Sequence, residues 1–146
     1  MNRRNFLAIA ALGTAAAVTG CASTSPMSFA GDPLVSSLTS GISGLSTSQA
    51  ASGVGSILGL AQSKLSPADF GTVAKTMPNA DKYLTAAQDA GVATRDIKDI
   101  NGLNSAFAKL GINPQQARGM LGGVTDWVAK SGGDAAKGMM TRALGL

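Results

Sequence analysis

Three dipeptides constrain this chain more than any other feature: Asp32-Pro33, Ser66-Pro67 and Asn113-Pro114. Each sets a side chain that can accept a backbone N–H just ahead of a proline, which has no N–H to lose in a first helical turn. Such pairs start helices. Apolar residues then recur at helical steps. Val54, Ile57, Leu58, Ala61 and Leu65 share one face, as do Phe70, Val73, Ala74 and Met77. Ala80, Tyr83, Leu84 and Ala87 form another stripe, and Leu103, Ala106, Phe107 and Leu110 another. Ala117, Met120, Leu121, Val124, Trp127 and Val128 make the longest, and Ala136, Met139, Met140 and Ala143 the last. No stretch shows the two-residue alternation of β-branched residues that marks a strand. The expected fold is all-α, a single compact bundle of about seven short helices over 33–146.

The segments "GLSTSQA" (44–50) and "GINPQQA" (111–117) match at an offset of 67 residues. Gly44 and Gly111 suit the left-handed turn that ends a preceding helix, and Leu45 and Ile112 sit where a hydrophobic staple would. Ser46 and Asn113 are the expected caps, with Gln49 and Gln116 reaching back as capping-box partners. Asp32 and Ser66 cap two further helices. Asp69, at the third helical position after Ser66, serves that cap and the helix dipole. Downstream, Gly55 matches Gly122, Ile57 matches Val124, and Leu60 matches Trp127. Two readings stay open: helix starts obeying common rules, or a duplicated helical pair folded about a pseudo-two-fold axis. Gly55 and Gly59 are four residues apart, as are Gly119 and Gly123. This spacing suits close helix contact within the bundle or between subunits. The segment 33–63 carries no charge, yet Ser, Thr, Gln and Gly interrupt it far short of the roughly 18 apolar residues a membrane span needs.

The first twenty residues read differently. "MNRRNFLAIAALGTAAAVTG" has a basic start, an uncharged apolar run from Phe6 to Val18 and a small-residue end, which is the layout of a secretory signal. "VTGC" (18–21) resembles the lipobox of bacterial lipoproteins, in which the cysteine takes the lipid and becomes the new N-terminus. Cys21 is the one cysteine of the chain, so no intrachain disulfide can form. The lipobox resemblance implies that Cys21 carries acyl chains, each buried methylene adding about 0.8 kcal/mol of membrane affinity. "NRRNFLA" resembles the twin-arginine export motif through Arg3, Arg4, Phe6 and Leu7, although Asn2 and Ala8 depart from its usual flanks. A general-secretion signal is the alternative. Ala22, where lipoproteins held at the inner membrane often carry Asp, favours the outer membrane. The expected organisation is a signal peptide over 1–20, a lipidated cysteine and flexible tether over 21–32, and the helical domain over 33–146. The domain would stand at the periplasmic face of a bacterial cell envelope.

Composition narrows the chemistry. The chain has no His, and all eight acidic residues are Asp. The commonest general base and metal ligand is therefore missing, and no cofactor or metal site is expected. The net charge of +4 owes much to Arg3 and Arg4, and beyond them seven Lys and three Arg stand against eight Asp. No basic stripe remains for nucleic acid. The aromatics after residue 21 are Phe29, Phe70, Tyr83, Phe107 and Trp127, too few for a platform that stacks bases or sugars.

The stretches "SGLSTSQAASGVGSILGLAQSKLSPADFGTVAKTMPNADKYL" and "LNSAFAKLGINPQQARGMLGGVTDWVAKSGGDAA" resemble the VcgC/VcgE family, a bacterial domain of unknown function. The residues that carry the likeness are Gln49-Ala50, the glycine-rich 52–59, Leu65-Ser66, Asp69-Phe70, Met77-Pro78, Phe107 to Gly111 and Gly132-Gly133. The resemblance implies a small helical exported domain and supplies no substrate, cofactor or catalytic residue.

Most carboxylates fall at helix starts, so catalysis is a surplus hypothesis. The expected function is a structural or interaction module, lipid-tethered, binding an envelope protein, a second copy or the membrane surface. The alternative is a carrier of a small apolar ligand. A carboxylate-dependent enzyme is the third class. An interaction module predicts a filled core with an exposed apolar face. Met120, Met139 and Met140 are candidates for such a patch or for core filling.

Overall fold

The computed structural model describes residues 29–146, and the signal segment and Cys21 lie outside them. Six α-helices follow in order: α1 (Pro33–Gly41), α2 (Thr47–Lys64), α3 (Pro67–Thr76), α4 (Ala80–Asp89), α5 (Ile100–Lys109) and α6 (Pro114–Leu144). A 3₁₀ turn, Thr94–Asp96, joins α4 to α5, and the described residues contain no strand. The architecture is all-α, as the helical spacing predicts. The apolar stripes led to about seven helices, and the difference lies in α6. Its two expected helices run on as one 31-residue element, broken at Gly133, where φ is 75° and ψ is −173°. Only a residue without Cβ takes that conformation readily. The break leaves two rods, 114–132 and 134–144.

α2 is the centre of the molecule. Every residue from Ala50 to Ala61 is buried, so this helix has no solvent face over three turns. A helix buried all round must be apolar or small all round, which is why this segment mixes Val, Ile and Leu with Gly, Ala and Ser and carries no charge. One face meets the second half of the chain. The other meets α4 and the 3₁₀ turn at very short range. A methyl group placed on Gly55 would overlap the carbonyl oxygen of Tyr83, and one on Gly59 would stand 2.8 Å from the carbonyl oxygen of Thr94. Two serines on the same stripe tie the backbones together. Ser52 Oγ donates to the Ala86 carbonyl at 3.1 Å, and Ser63 Oγ donates to the Ile97 carbonyl at 2.7 Å. The stripe Ser52, Gly55, Gly59, Ser63 therefore combines close approach with hydrogen bonds to backbone carbonyls of the segment that covers it.

The 67-residue match extends to the whole architecture. α1 begins at Pro33 and α5 at Ile100, capped by Asp32 and Asp99. α2 begins at Thr47 and α6 at Pro114, and α3 begins at Pro67 while the last rod begins after Gly133. Each pair of starts is 67 residues apart. Equivalent residues are buried in both halves: Leu45 with Ile112, Ala50 with Ala117, Ile57 with Val124, Val73 with Met140 and Met77 with Leu144. Gly53 and Met120 are likewise equivalent, and the Met120 side chain fills the space that a side chain at Gly53 would need. Capping rules alone account for matched helix starts. They do not account for matched helix lengths and inward faces, so the pseudo-two-fold reading describes this chain. α4 and the 3₁₀ turn have no counterpart among the described residues of the second half.

The halves interlock at the two capping boxes. Gln49 Oε1 accepts from Ser46 N at 3.1 Å, while its Nε2 donates to the carbonyls of Leu110 and Gly111 at 3.1 and 3.2 Å. Gln116 does the same in reverse: Oε1 accepts from Asn113 N at 3.0 Å, and Nε2 donates to the Ser43 carbonyl at 3.1 Å. Each glutamine closes its own helix start and also the end of the helix that precedes the other long helix. Gly44 and Gly111, with φ of 76° and 70°, turn the chain there and leave room for the opposite glutamine.

Three outcomes follow. Gln49→Glu preserves the capping box, since glutamate serves at that position as well as glutamine, but it removes the donor to Leu110 and Gly111. Chemical denaturation should show a loss of about 1–2 kcal/mol, against little change if the box alone mattered. Gly55→Ala should destabilise by about 3 kcal/mol through forced separation of α2 and α4. Gly138→Ala, on a helical glycine with open space around it, should stabilise by up to about 1 kcal/mol.

Candidate functional site

Cys21, Arg3, Arg4, Phe6 and Leu7 lie outside the described residues. The other singled-out residues all stand at helix starts. Ser46 Oγ accepts from Gln49 N at 3.1 Å, and Asn113 Oδ1 accepts from Gln116 N at 2.8 Å. Ser66 Oγ accepts from Asp69 N at 3.2 Å and donates to Asp69 Oδ2 at 2.9 Å. Asp69 thus accepts from the cap hydroxyl rather than from the cap backbone.

Asp32 does more than cap. Its Oδ1 accepts from Leu34 N at 3.0 Å and Val35 N at 3.2 Å, and from the Tyr83 hydroxyl at 2.5 Å. Its Oδ2 accepts from Asn79 Nδ2 at 3.3 Å. Asn79 occupies the N-cap of α4 in the left-handed region, φ 71°, and makes no side-chain cap there because its amide is turned to Asp32. The Phe29 ring stacks on Tyr83 at 5.2 Å, nearly parallel at 12°. Phe29 and Asp32 fall in the segment expected to be a tether, yet both belong to the folded body. Burial, followed by the hydrogen bond and negative charge of Asp32, pushes the Tyr83 phenol far above its ordinary range. It stays protonated and donates, so the pair is a latch between the entry of the chain, α1 and α4. The adjoining crevice, lined in part by Met77, Pro78 and Trp127, holds about 10 Å³ and admits no ligand.

Larger recesses are open. A groove of about 350 Å³ runs between α5 and α6, lined mainly by Phe107, Ile112, Pro114, Ala117 and Leu121, with Arg118 at its edge. It contains no carboxylate. A shallower hollow beside the 3₁₀ turn, about 480 Å³, is bounded by Gln88, Arg95 and Asp96. Among the described residues no three of Asp, Glu, Cys or His gather where they could hold a metal ion, and no buried side-chain nitrogen or oxygen lacks a hydrogen-bond partner.

The exposed apolar face expected of an interaction module is not found. Among the described residues the large hydrophobic side chains open to solvent are Ile100 and Leu146, at 38% and 65% exposure. Met120 and Met140 are fully buried, and Met139 packs against the core from its edge. The methionines fill space between the halves rather than offering an adaptable surface. The outer face of α6 is the broad surface that remains, with Arg118, Gly119, Gly122 and Asp126 all exposed. Sequence reasoning missed this face because the helical stripes mark what faces inward. The Tyr83–Asp32 latch was missed because it joins residues 51 positions apart.

The sequence profile of the proteins of unknown function VcgC/VcgE (DUF2780) matches residues 8–145. The chain belongs to the VcgC/VcgE family. The residues that carry the family likeness are those that hold the fold together: Gln49 in the interlock, 52–59 in the buried face of α2, and Gly132-Gly133 at the break in α6, where a methyl on Gly132 would strike Thr76. No curated protein and no solved structure matches the chain.

Tyr83→Phe removes the donor to a partly buried carboxylate and should lower stability by about 2 kcal/mol in urea. The phenol is held protonated more tightly in the folded than in the unfolded chain. Its contribution is therefore complete below the unfolded value, about 10, and is lost as pH rises above it. Between neutrality and pH about 11 the wild type should lose stability more steeply than the Phe variant.

Proposed function

We propose that this chain is a lipid-anchored protein of the bacterial cell envelope, whose helical domain works at the periplasmic face as a structural or interaction module. The observation that carries this is the placement of Cys21 directly after an uncharged run with a basic start, in the lipobox-like "VTGC". An anchor made of acyl chains requires no membrane-spanning helix, and no described helix is long and apolar enough to cross a membrane. Ala22 favours outer-membrane delivery, and Arg3-Arg4 with Phe6-Leu7 suits twin-arginine export. A non-catalytic role agrees with the use made of the carboxylates: Asp32, Asp69 and Asp99 are each held by hydrogen bonds at helix starts. A cofactor has no place in this reading.

A second reading, a carrier of a small apolar ligand, is favoured by the α5–α6 groove. Its volume of about 350 Å³ lies at the lower end of ligand-sized pockets. Native mass spectrometry of the protein purified from membranes would show a bound small molecule if this reading held.

The anchor is tested by mass spectrometry of the N-terminal peptide and by fractionation. The mature chain is expected to begin at acylated Cys21 and to sediment with membranes. Cys21→Ala should release it from the membrane fraction or leave it unprocessed. An unmodified Cys21 in a soluble chain that still begins at Met1 overturns the proposal.

A further inference from the structure

We propose that two copies of this chain pair through the outer face of α6, antiparallel, with Gly122 at the two-fold axis and Arg118 of each copy against Asp126 of the other. The inference names a partner for the interaction module proposed above and rests on that reading for its biological sense.

The pseudo-two-fold relation between the halves carries the argument. α2 and the first rod of α6 are equivalent, and their inward faces are buried alike: Ala50 and Ala117, Val54 and Leu121, Ile57 and Val124, Ala61 and Val128. Their outward faces differ. On α2 this face is Ala51, Ser52, Gly55 and Gly59, all buried beneath α4 and the 3₁₀ turn. On α6 the equivalent positions are Arg118, Gly119, Gly122 and Asp126, all exposed. Gly55 exists to let a helix backbone approach. Its equivalent Gly122 has nothing within 4 Å of where a side chain would begin. Gly138 is open too, but so is its equivalent Gly71; Gly122 is open where its equivalent is covered, which marks a surface that a backbone from outside the chain can approach.

The charges on this face identify what approaches. Arg118 lies four residues before Gly122 and Asp126 four residues after it, so they stand about 6 Å to either side along the helix. Two such helices crossed antiparallel at Gly122 set each arginine over its partner's aspartate, twice, with no like charges opposed. A parallel crossing would oppose arginine to arginine and aspartate to aspartate. An isologous dimer demands this kind of self-complementarity.

Sedimentation velocity on the full chain, extracted from membranes in mild detergent, tests the pairing over a concentration series. A concentration-dependent dimer is expected. Arg118→Asp and Asp126→Arg should each raise its dissociation constant about tenfold or more, and the two together should restore it. Gly122→Leu should abolish the dimer and leave the dilute protein at least as stable in a circular-dichroism melt, since a side chain at 122 begins in open space and leucine favours the helix. A monomer at about 100 μM, or a dimer indifferent to both reversals, overturns the proposal. If the monomeric wild type still captures another envelope protein, only the self-pairing fails, whereas loss of membrane association in the wild type strikes the anchor reading alone.

Discussion

The fold depends on how closely two backbones approach along one stripe of α2. Gly55 lies against the Tyr83 carbonyl and Gly59 against that of Thr94, with Ser52 and Ser63 donating to carbonyls above and below. Dispersion falls steeply with distance, so a helix pair without intervening side chains gains many short contacts where ordinary packing would gain few. The approach also decides the position of α4, and α4 carries Tyr83. The hydroxyl of Tyr83 then fixes Asp32, and the ring holds Phe29. A single small-residue stripe in the centre therefore helps determine where Phe29 and Asp32 join the body.

A second constraint is the pair of glutamines. Each amide has an acceptor and a donor end, and both ends are used: the oxygen within its own helix start, the nitrogen across the pseudo-axis. This couples local helix initiation to the long-range arrangement of the halves. Each helix start is complete by itself, but neither preceding helix end is satisfied without the other half. The arrangement suits a chain of short helices, which are marginal alone and need tertiary contacts to persist.

The halves are alike in their inner faces and unlike in their outer ones. From Ala50 to Ala61 α2 is covered on both sides and has no charge, while α6 is covered on one side and bears Arg118 and Asp126 on the other. The molecule thus has a sealed half and an open half. Its candidate surface is the open half of a repeat whose sealed half shows how a helix can dock there. The proposed anchor and the proposed pairing would reinforce each other, because confinement to a membrane raises the effective concentration of one copy near another.

Much of this was legible in the chain. Cap-proline pairs and helical spacing mark the all-α class and nearly every helix start, because N-capping and φ restriction act within three or four residues. The match of 44–50 to 111–117 marks a repeat for the same local reason, as far as the caps extend. What tertiary structure alone decided is whatever joins distant residues. Asp32 meets Tyr83, Gln49 meets Leu110, and α6 continues through Gly133 as a bent element rather than ending. The sequence determined where helices begin, since that is chemistry between near neighbours. Which glycines would be covered, and which left open as Gly122 is, depended on how the halves close around α2, since burial is a property of the assembled body.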